Sequence, residues 1–465
     1  MGTIRVLRPC RRGLLAVLLL APTSAAPAAA EDPVALGRRL FFTETFAGNG
    51  RTCGTCHPAD NNYTIDPAYI ARLPADDPLF VAERVPALRD LERPRLLRQL
   101  GLVTVHGDGF DRPGLARGVQ HTLGLRRSIQ VDPFNLTPPP GRAGDLLAAV
   151  GWSGDGAPNA GSLREFTIGA IREHMPKTLR RRAGVDFRLP SETELDAIRA
   201  FLLSLGRQDE VDISEATGLR FTWGFVERGR QLFLGETSGP CNFCHNNAGA
   251  LNDAGVNASF DTGVARRPNA PALRIEPMLP VDAGFGTSPT ITVGARTGHG
   301  DGRMNVPSLI EAADTPPFFH DNSAATLEGA IRFYTTPTFA RSPEGQALPA
   351  ITLTIADINA IGAMLRTLNA MENIRSGNTL LREALGSPGA TVRSTIRLAS
   401  LETRDAVRVL TGGPVPLYPG AVELLRRAQG LERQALTAAA ADGWRVLLRR
   451  AIGLKERARA LMAAS

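Results

Sequence analysis

Two short segments of the chain have the residue types and the spacing of sites that bind a metal or a redox group. Residues 51–60 read RTCGTCHPAD and residues 240–246 read PCNFCHN. Both contain the pattern Cys-x-x-Cys-His, formed by Cys53, Cys56 and His57 in the first segment and by Cys241, Cys244 and His245 in the second. The only other cysteine, Cys10, lies in the N-terminal segment.

Three kinds of chemistry use closely spaced cysteines. Two Cys-x-x-Cys pairs can bind one zinc ion, and a single pair can form a redox-active disulfide, but neither site needs the adjacent histidine. A c-type haem uses every residue of the pattern, because the two thiols attach to the porphyrin and the imidazole coordinates the iron. The sequence therefore predicts two covalently bound c-type haems with His57 and His245 as iron ligands, and zinc and disulfide chemistry remain as alternatives.

The N-terminus has the features of a cleaved signal peptide. Four arginines precede the apolar stretch LLAVLLLA, and small residues follow it up to Ala30. Removal of residues 1–30 lowers the formal net charge of the 465-residue chain from +7 to +3, because that segment carries four positive charges and no negative ones. We therefore expect a periplasmic protein with no excess of basic charge for binding nucleic acid, and no later apolar run is long enough to span a membrane.

The elements that must position the two motifs are repeated. GRRLF (residues 37–41) precedes the first motif and GRQLF (residues 229–233) precedes the second, while ELDAIRAFLLSL (194–205) and DINAIGAMLRTL (357–368) follow them with helical spacing and a Ser or Thr cap. Strand patterns are sparse, and 34 prolines and 47 glycines punctuate long loops. We predict a mainly α fold made of residues 31–210 and 211–372, two tandem cytochrome c-like haem domains, and a helical extension over 373–465.

Two longer stretches resemble the bacterial di-haem cytochrome c peroxidase family, which includes the enzyme MauG. Met304–Tyr334 (MNVPSLIEAADTPPFFHDNSAATLEGAIRFY) is similar to the signature of the family's second domain, and Gly151–Ile171 resembles its Trp-Asp-Gly-Arg-Ala and Leu-x-Glu-Gln segments. The resemblance covers roughly residues 33–369. It implies that Glu165 is the distal acid-base group beside the haem that meets peroxide, although Phe166 replaces the family's glutamine.

The resemblance also implies the far ligand of the second haem. Tyr334 lies where the peroxidases have a methionine ligand and the MauG-type enzymes have a tyrosine, and a phenolate stabilises higher oxidation states of iron. Met304 and Met278 are the rival ligands. We expect His320 to form a hydrogen bond to a haem propionate or to the backbone, while His106, His121 and His174 are the imidazoles of the first half that could close the first haem.

Further implications of the family are a metal ion, partners and an electron route. Thr315 and Pro317 match two backbone-carbonyl ligands of a calcium ion that the family binds between its haems. The implied partners are hydrogen peroxide, a small redox protein as electron donor or a protein substrate, and a second copy of the chain in a homodimer. Neither Trp152 nor Trp223 matches the family's tryptophan between the haems.

We therefore expect an oxidoreductase that reduces hydrogen peroxide at the N-terminal haem and transfers electrons through the C-terminal haem. One alternative is a MauG-like enzyme that oxidises Trp or Tyr residues of a partner protein, as Tyr334 suggests. Another alternative is a di-haem electron carrier without catalytic activity, in which both irons have six ligands.

Overall fold

The computed structural model describes residues 1–2, 31–106, 110–128, 163–235, 239–252, 255, 257–284, 290–386, 391–438 and 443–464. Most of the predicted signal peptide, residues 3–30, lies outside these ranges, as does Trp152. The chain divides into two compact units, Met1–Asp32 and Pro33–Ser465. Everything described below belongs to the second unit.

The fold is mainly α, as predicted. The helices of the first half are α1 Pro33–Thr43, α2 Cys53–Cys56, α3 Pro67–Ile70, α4 Val81–Arg84, α5 Pro94–Leu100, α6 Leu125–Ser128, α7 Leu163–His174 and α8 Glu192–Ser204. Those that follow are α9 Gly224–Leu234, α10 Cys241–Cys244, α11 Ala272–Ile275, α12 Leu327–Phe333, α13 Pro337–Ala340, α14 Pro343–Ala347, α15 Ile355–Gly386, α16 Val392–Thr411, α17 Pro419–Thr437 and α18 Gly443–Met462.

The strands of the described residues are short and form small separate sheets. They are β1 Leu102–Val105, β2 Leu115–Gly118, β3 Arg220–Phe221, β4 Ser259–Phe260, β5 Val281–Asp282, β6 Thr290–Val293, β7 Arg296–His299, β8 Met304–Asn305 and β9 Ala463–Ala464. β1 pairs with β2, β3 with β9 and β4 with β8, all antiparallel, while β7 pairs with β5 in parallel and with β6 antiparallel.

The sequence repeat corresponds to one helix crossing made twice. A Cβ atom added to Gly37 of α1 would lie 1.9 Å from the carbonyl oxygen of Ala197 in α8, and one added to Gly229 of α9 would lie 2.0 Å from that of Ala360 in α15. Only glycine allows such a close approach of two backbones. Because each glycine precedes its Cys-x-x-Cys-His motif, the crossing places both motifs against an equivalent long helix.

Two main hydrophobic cores accompany the two crossings. The first contains buried side chains between Leu40 and Leu205, and the second contains buried side chains between Ile213 and Met462. The second core thus takes in residues of α16, α17 and α18, which belong to the predicted extension. α15 continues without interruption across residue 373, where the extension was expected to begin.

A buried ion pair links the helices of the extension. Lys455 of α18 and Glu432 of α17 have no solvent-exposed side-chain area, and Lys455 Nζ lies 2.9 Å from Glu432 Oε1. Thr403 of α16 donates its hydroxyl proton to the same carboxylate at 3.0 Å. A third smaller core, between Leu381 and Ala451, packs these helices together.

The helices of the described part of the chain are too short or too polar to cross a bilayer. This agrees with the expectation that the chain has no membrane span.

Candidate functional site

The two Cys-x-x-Cys-His motifs have the same local structure. The cysteines of each motif begin and end a one-turn helix, α2 or α10. His57 follows α2 with φ −120° and ψ 62°, and His245 follows α10 with φ −118° and ψ 63°. The backbone amide of each histidine donates to the carbonyl of the first cysteine, at 3.0 Å and 2.9 Å. The two motifs therefore present their thiols and imidazole in equivalent ways.

A backbone carbonyl holds each motif histidine by its Nδ1 atom. His57 Nδ1 lies 2.8 Å from the carbonyl oxygen of Tyr63, and His245 Nδ1 lies 3.1 Å from that of Pro307. Because a carbonyl can only accept, Nδ1 carries the proton and the lone pair of Nε2 is left for a metal. Burial lowers the pKa of His57, and it lowers the pKa of His245 to about 4. Both rings are therefore neutral at pH 7, as metal binding requires.

The motif cysteines form no disulfides in the described structure, and they lie in mostly apolar surroundings. Burial raises the pKa of Cys53 to about 12, of Cys56 to about 11 and of Cys241 to about 12. Thiol exchange requires a thiolate with a lowered pKa, so these environments disfavour a redox disulfide. Zinc is disfavoured as well, because the two pairs line different cavities and the described residues contain no cluster of three or more His, Cys, Asp or Glu side chains that could hold a metal.

The first cavity, of about 650 Å³, lies between the first motif and α7. One face of α7 forms its wall with Leu163, Phe166, Thr167, Ala170 and His174. This spacing of three and four residues is that of one side of a helix. The motif side consists of Cys53, Cys56 and His57 with apolar neighbours such as Phe41 and Leu202.

Glu165, the predicted distal group, lies in the first turn of α7. It is not among the described residues that line the first cavity, whereas its neighbours Phe166 and Thr167 are. Its catalytic role therefore stays a prediction. Phe166, which stands where the family has glutamine, replaces an amide with an apolar ring at the wall.

His174 is the one imidazole besides that of His57 among the described residues of the first cavity. Burial, with smaller contributions from Arg51 and Arg181, lowers its pKa to about 3, so the ring is neutral at pH 7. Its carbonyl oxygen accepts from Asn49 Nδ2 at 3.0 Å, which fixes the end of α7 beside the motif segment. His106 lines neither cavity, and its ring packs against Phe110 with 5.6 Å between the centroids.

Sequence reasoning missed Arg51, which lines the first cavity although only 1% of its side chain is exposed. It forms an ion pair of 2.8 Å with Glu92 and donates to the carbonyl of Leu79 at 2.6 Å. Its charge opposes the effect of burial on the pKa of Cys56. The position of Arg51, two residues before Cys53, is a sequence signal that could have identified it. Its ion-pair partner Glu92 lies 41 residues away, so the pair itself could not be recognised from the sequence.

The second cavity, of about 1750 Å³, brings together most of the residues expected around the second haem. Its lining includes Cys241, Cys244, His245, Met304, Pro307, Thr315, Pro317, His320 and Tyr334. Met278 is different, because it is 67% exposed and lies outside the cavity. Of the two methionines that could compete with Tyr334 as a ligand, only Met304 therefore lines the second cavity.

Tyr334 follows the last residue of α12 and projects from an aromatic cluster. Its ring centroid lies 5.1 Å from that of Phe339 and 5.5 Å from that of Phe333. Burial raises the pKa of its phenol, and the nearby thiols of Cys244 and Cys241 raise it further. The phenol is therefore protonated unless a cation lies beside it.

His320 lies in the wall of the second cavity with 8% of its side chain exposed. Its Nε2 atom is 4.0 Å from Asp282 Oδ2, and Asp282 is bound by Arg117 through Nε at 2.5 Å. The carbonyl oxygen of His320 accepts from the amide of Gly118 at 2.7 Å. His320 thus joins the wall to β2 of the first half of the chain.

The predicted calcium ligands also lie at the second cavity. Thr315 and Pro317 line it, and the hydroxyl of Thr315 donates to the carbonyl of Glu311 at 2.9 Å. Calcium requires six to eight oxygen ligands, and these two residues supply two carbonyls. Because no acidic metal-binding cluster accompanies them in the described residues, calcium stays a prediction of the resemblance.

Trp223, the second tryptophan singled out from the sequence, belongs to the periphery of the second core. Trp223 packs against Tyr418 of the second core with 5.6 Å between the ring centroids, and it lines neither cavity.

Comparisons with protein-family models, with curated proteins and with solved structures found no match to this chain. Each cavity has two half-buried cysteines, a neutral imidazole whose Nδ1 is held by a carbonyl, and a mostly apolar lining. This set of donors fits a covalently attached haem.

Proposed function

We propose that the chain is a periplasmic, di-haem c-type cytochrome that acts as a peroxidase-like oxidoreductase, made with a cleaved signal peptide. The observation that carries this proposal is the equivalent geometry of the two Cys-x-x-Cys-His motifs. In both motifs the cysteines begin and end a one-turn helix, and the histidine follows with the same backbone geometry. In both, a backbone carbonyl accepts from Nδ1 of the histidine, so the lone pair of Nε2 is left for a metal. When bound there, haem would supply one-electron redox chemistry.

The differences between the cavities support a division of roles. The face of α7 toward the first cavity is mostly apolar, with Phe166 and Ala170 on it and His174 at its end, and we assign hydrogen peroxide reduction to this cavity. The second cavity is lined by Tyr334, and we assign electron transfer to it. Met304 lies three residues before Pro307, whose carbonyl holds His245, whereas Tyr334 lies in a separate segment at the end of α12. This favours Tyr334 over Met304 as the ligand opposite His245.

The remaining parts of the proposal rest on the family resemblance. The electron donor is a small redox protein, the chain pairs as a homodimer, and one calcium ion binds through the carbonyls of Thr315 and Pro317.

The first test is EPR and optical spectroscopy of the purified ferric protein before and after one equivalent of hydrogen peroxide. We expect covalently bound haem, one high-spin and one low-spin ferric signal, and a rapid change of the high-spin signal on adding peroxide. Two low-spin signals that peroxide leaves unchanged would contradict peroxidase activity. Absence of covalent haem would contradict the whole assignment.

Substitution of Glu165 tests the proposed acid-base group. In Glu165→Gln, peroxide turnover should fall about 100-fold or more with both haems retained, because a positioned proton carrier contributes that much to such a step. Glu83→Gln, at a surface ion pair with Arg98, is the matched control and should behave like the wild type. Full activity in Glu165→Gln would remove Glu165 from the mechanism.

Tyr334 favours a second candidate function, the MauG-like oxidation of Trp or Tyr residues in a partner protein. A phenolate ligand stabilises oxidised iron better than a thioether does. This function requires that two oxidising equivalents persist in the protein after peroxide has been consumed. Optical spectra that return to the ferric state at once, without added reductant, would exclude it.

His174 favours the third candidate function, an electron carrier. Its neutral ring lies in the first cavity, where it is placed to become a second axial ligand. If it binds iron, the wild type will show two low-spin signals and His174→Ala will convert one of them to high spin. If the first haem is open, His174→Ala will leave the high-spin signal in place, and His106→Ala serves as the control.

A further inference from the structure

One short segment of the chain forms part of the wall of both cavities. Residues 118–122 start at the last residue of β2 and continue beyond it. Gln120 and His121 line the second cavity, and the next residue, Thr122, lines the first. The two cavities therefore approach each other across this segment.

Hydrogen bonds on both sides hold the segment in place. The amide of Gly118 donates to the carbonyl of His320 in the wall of the second cavity, at 2.7 Å. The hydroxyl of Thr64 donates to the carbonyl of Val119 at 2.5 Å. Thr64 is the neighbour of Tyr63, whose carbonyl holds His57. The segment is thus hydrogen-bonded to Thr64, next to the residue that holds His57, and to His320 in the wall of the second cavity.

His121 lines the second cavity, and its side chain lies near that of His57 in the first motif. Burial, with a smaller contribution from His57, lowers the pKa of its imidazole to about 4. Its Nδ1 atom is shielded from solvent and has no hydrogen-bond partner among the described residues. Among the described residues, His121 belongs to neither of the two main hydrophobic cores and forms no ion pair, so these contacts give no reason for a polar ring at this position.

We propose that His121 is the bridging residue through which electrons pass between the groups bound in the two cavities. The proposal rests on the proposed function, since it needs a haem in each cavity. One electron from the external redox protein reduces the second centre, and its passage to the first centre oxidises the second and reduces the first by one electron. His121 is unchanged at the end, and no proton is transferred. Trp223, which lines neither cavity, is not on this route.

The test measures electron transfer between the haems, separately from turnover. A laser flash with a photoreductant delivers less than one electron per molecule of holoprotein, and the redistribution between the haems is followed by their optical bands. In His121→Leu we expect redistribution to slow about tenfold or more, equivalent to a barrier higher by about 1.4 kcal/mol. EPR signals of both haems should be retained. His106→Leu, at a half-buried histidine outside both cavities, is the matched control and should keep the wild-type rate.

A second variant covers the case in which His121→Leu fails to retain both haems. His121→Gln keeps a polar side chain but loses the aromatic ring, and we expect it to slow redistribution in the same way. A wild-type rate in either variant with both haems present would overturn the role of His121 and leave the proposed function intact. Absence of covalent haem in the wild-type protein would overturn the proposed function and, with it, this inference.

Discussion

The carbonyls of Tyr63 and Pro307 perform the same task at the two motif histidines. Each fixes the proton on Nδ1 and thereby fixes which nitrogen faces the cavity. The two carbonyls come from unlike segments, one six residues after its histidine and the other 62 residues after it. The same chemical result is thus reached by a local loop in the first half and by a distant segment in the second.

Tyr334→Phe tests the ligand opposite His245. The ring packs against Phe333 and Phe339, which a phenylalanine can still do, so the fold should be kept. If Tyr334 is the anionic ligand of a haem bound in the second cavity, its loss should raise the midpoint potential of that haem by about 60 mV or more, a tenfold change in the one-electron equilibrium constant. Redox titration followed optically provides the measurement, with Tyr69→Phe in the first half as the control. An unchanged potential would show that Tyr334 is not the ligand.

Some residues of the two candidate sites could be identified from the sequence, and others could not. The pattern Cys-x-x-Cys-His is local, so the four cysteines and two histidines of the two motifs could be recognised directly. The face of α7 could have been derived from the spacing of Leu163, Thr167, Ala170 and His174. Arg51 could not be assigned, because its burial depends on Glu92 and on the carbonyls of Pro78 and Leu79, which folding alone brings together.

At the scale of elements, the sequence repeat predicted two equivalent helix pairs, and the structure has them. The predicted caps are present as well, since Ser191 accepts from the amide of Glu194 and the hydroxyl of Thr354 accepts from the amide of Asp357. The length of α15 was not predicted. It passes Asn369 and Asn373, whose polar side chains argue against a buried helix in the sequence. In the structure both donate to Asp314 Oδ2.

Substitution of the crossing glycines tests whether each helix pair builds its own cavity. Gly37→Ala and Gly229→Ala should each lower the free energy of unfolding by about 1–3 kcal/mol, because the new methyl group overlaps a backbone carbonyl. Each should also reduce haem content in its own half of the chain. Thermal unfolding and haem quantification after proteolysis provide the measurements.

Gly430→Ala is the matched control for the crossing glycines. Gly430 lies within α17, and a Cβ atom there would meet nothing within 4 Å. Alanine is favoured over glycine in a helix by roughly 0.5–1 kcal/mol, so this variant should be slightly more stable than the wild type. Equal effects of Gly37→Ala and Gly430→Ala would contradict the role assigned to the crossings.

At the scale of the whole molecule, a group of buried acids joins the two halves of the chain. Glu311 accepts from the amide of Arg207 at 3.4 Å, and Arg207 also forms an ion pair of 2.9 Å with Glu372 of α15. Burial, with the nearby charges of Glu372 and Asp314, raises the pKa of Glu311 to about 8. Burial, with the charge of Asp405, raises the pKa of Asp314 to about 7.

These raised pKa values predict that the protein becomes less stable as the pH rises. Between about pH 4.5 and pH 8 the Glu311 carboxyl group binds a proton in the folded state and loses it in the unfolded state, so the free energy of unfolding falls with increasing pH. The Tm should be lower at pH 8 than at pH 7, a range in which histidines with lowered pKa values, such as His57 and His174, are mostly neutral in the folded and the unfolded state. Glu311→Gln should weaken this dependence and raise the Tm at pH 8, whereas Glu83→Gln at the surface should not. An unchanged slope of Tm against pH in Glu311→Gln would contradict the prediction.

The composition of the two cores sets an order in time for the completion of the molecule. The first core is built from residues up to Leu205, so it can close before the rest of the chain is in place. The second core includes Met462, and β9 beside it pairs with β3 near the start of the second half. The second core is therefore complete only when the chain is present up to residue 464. Until then, Cys241 and Cys244 remain accessible to the enzymes that modify thiols, for longer than Cys53 and Cys56 do.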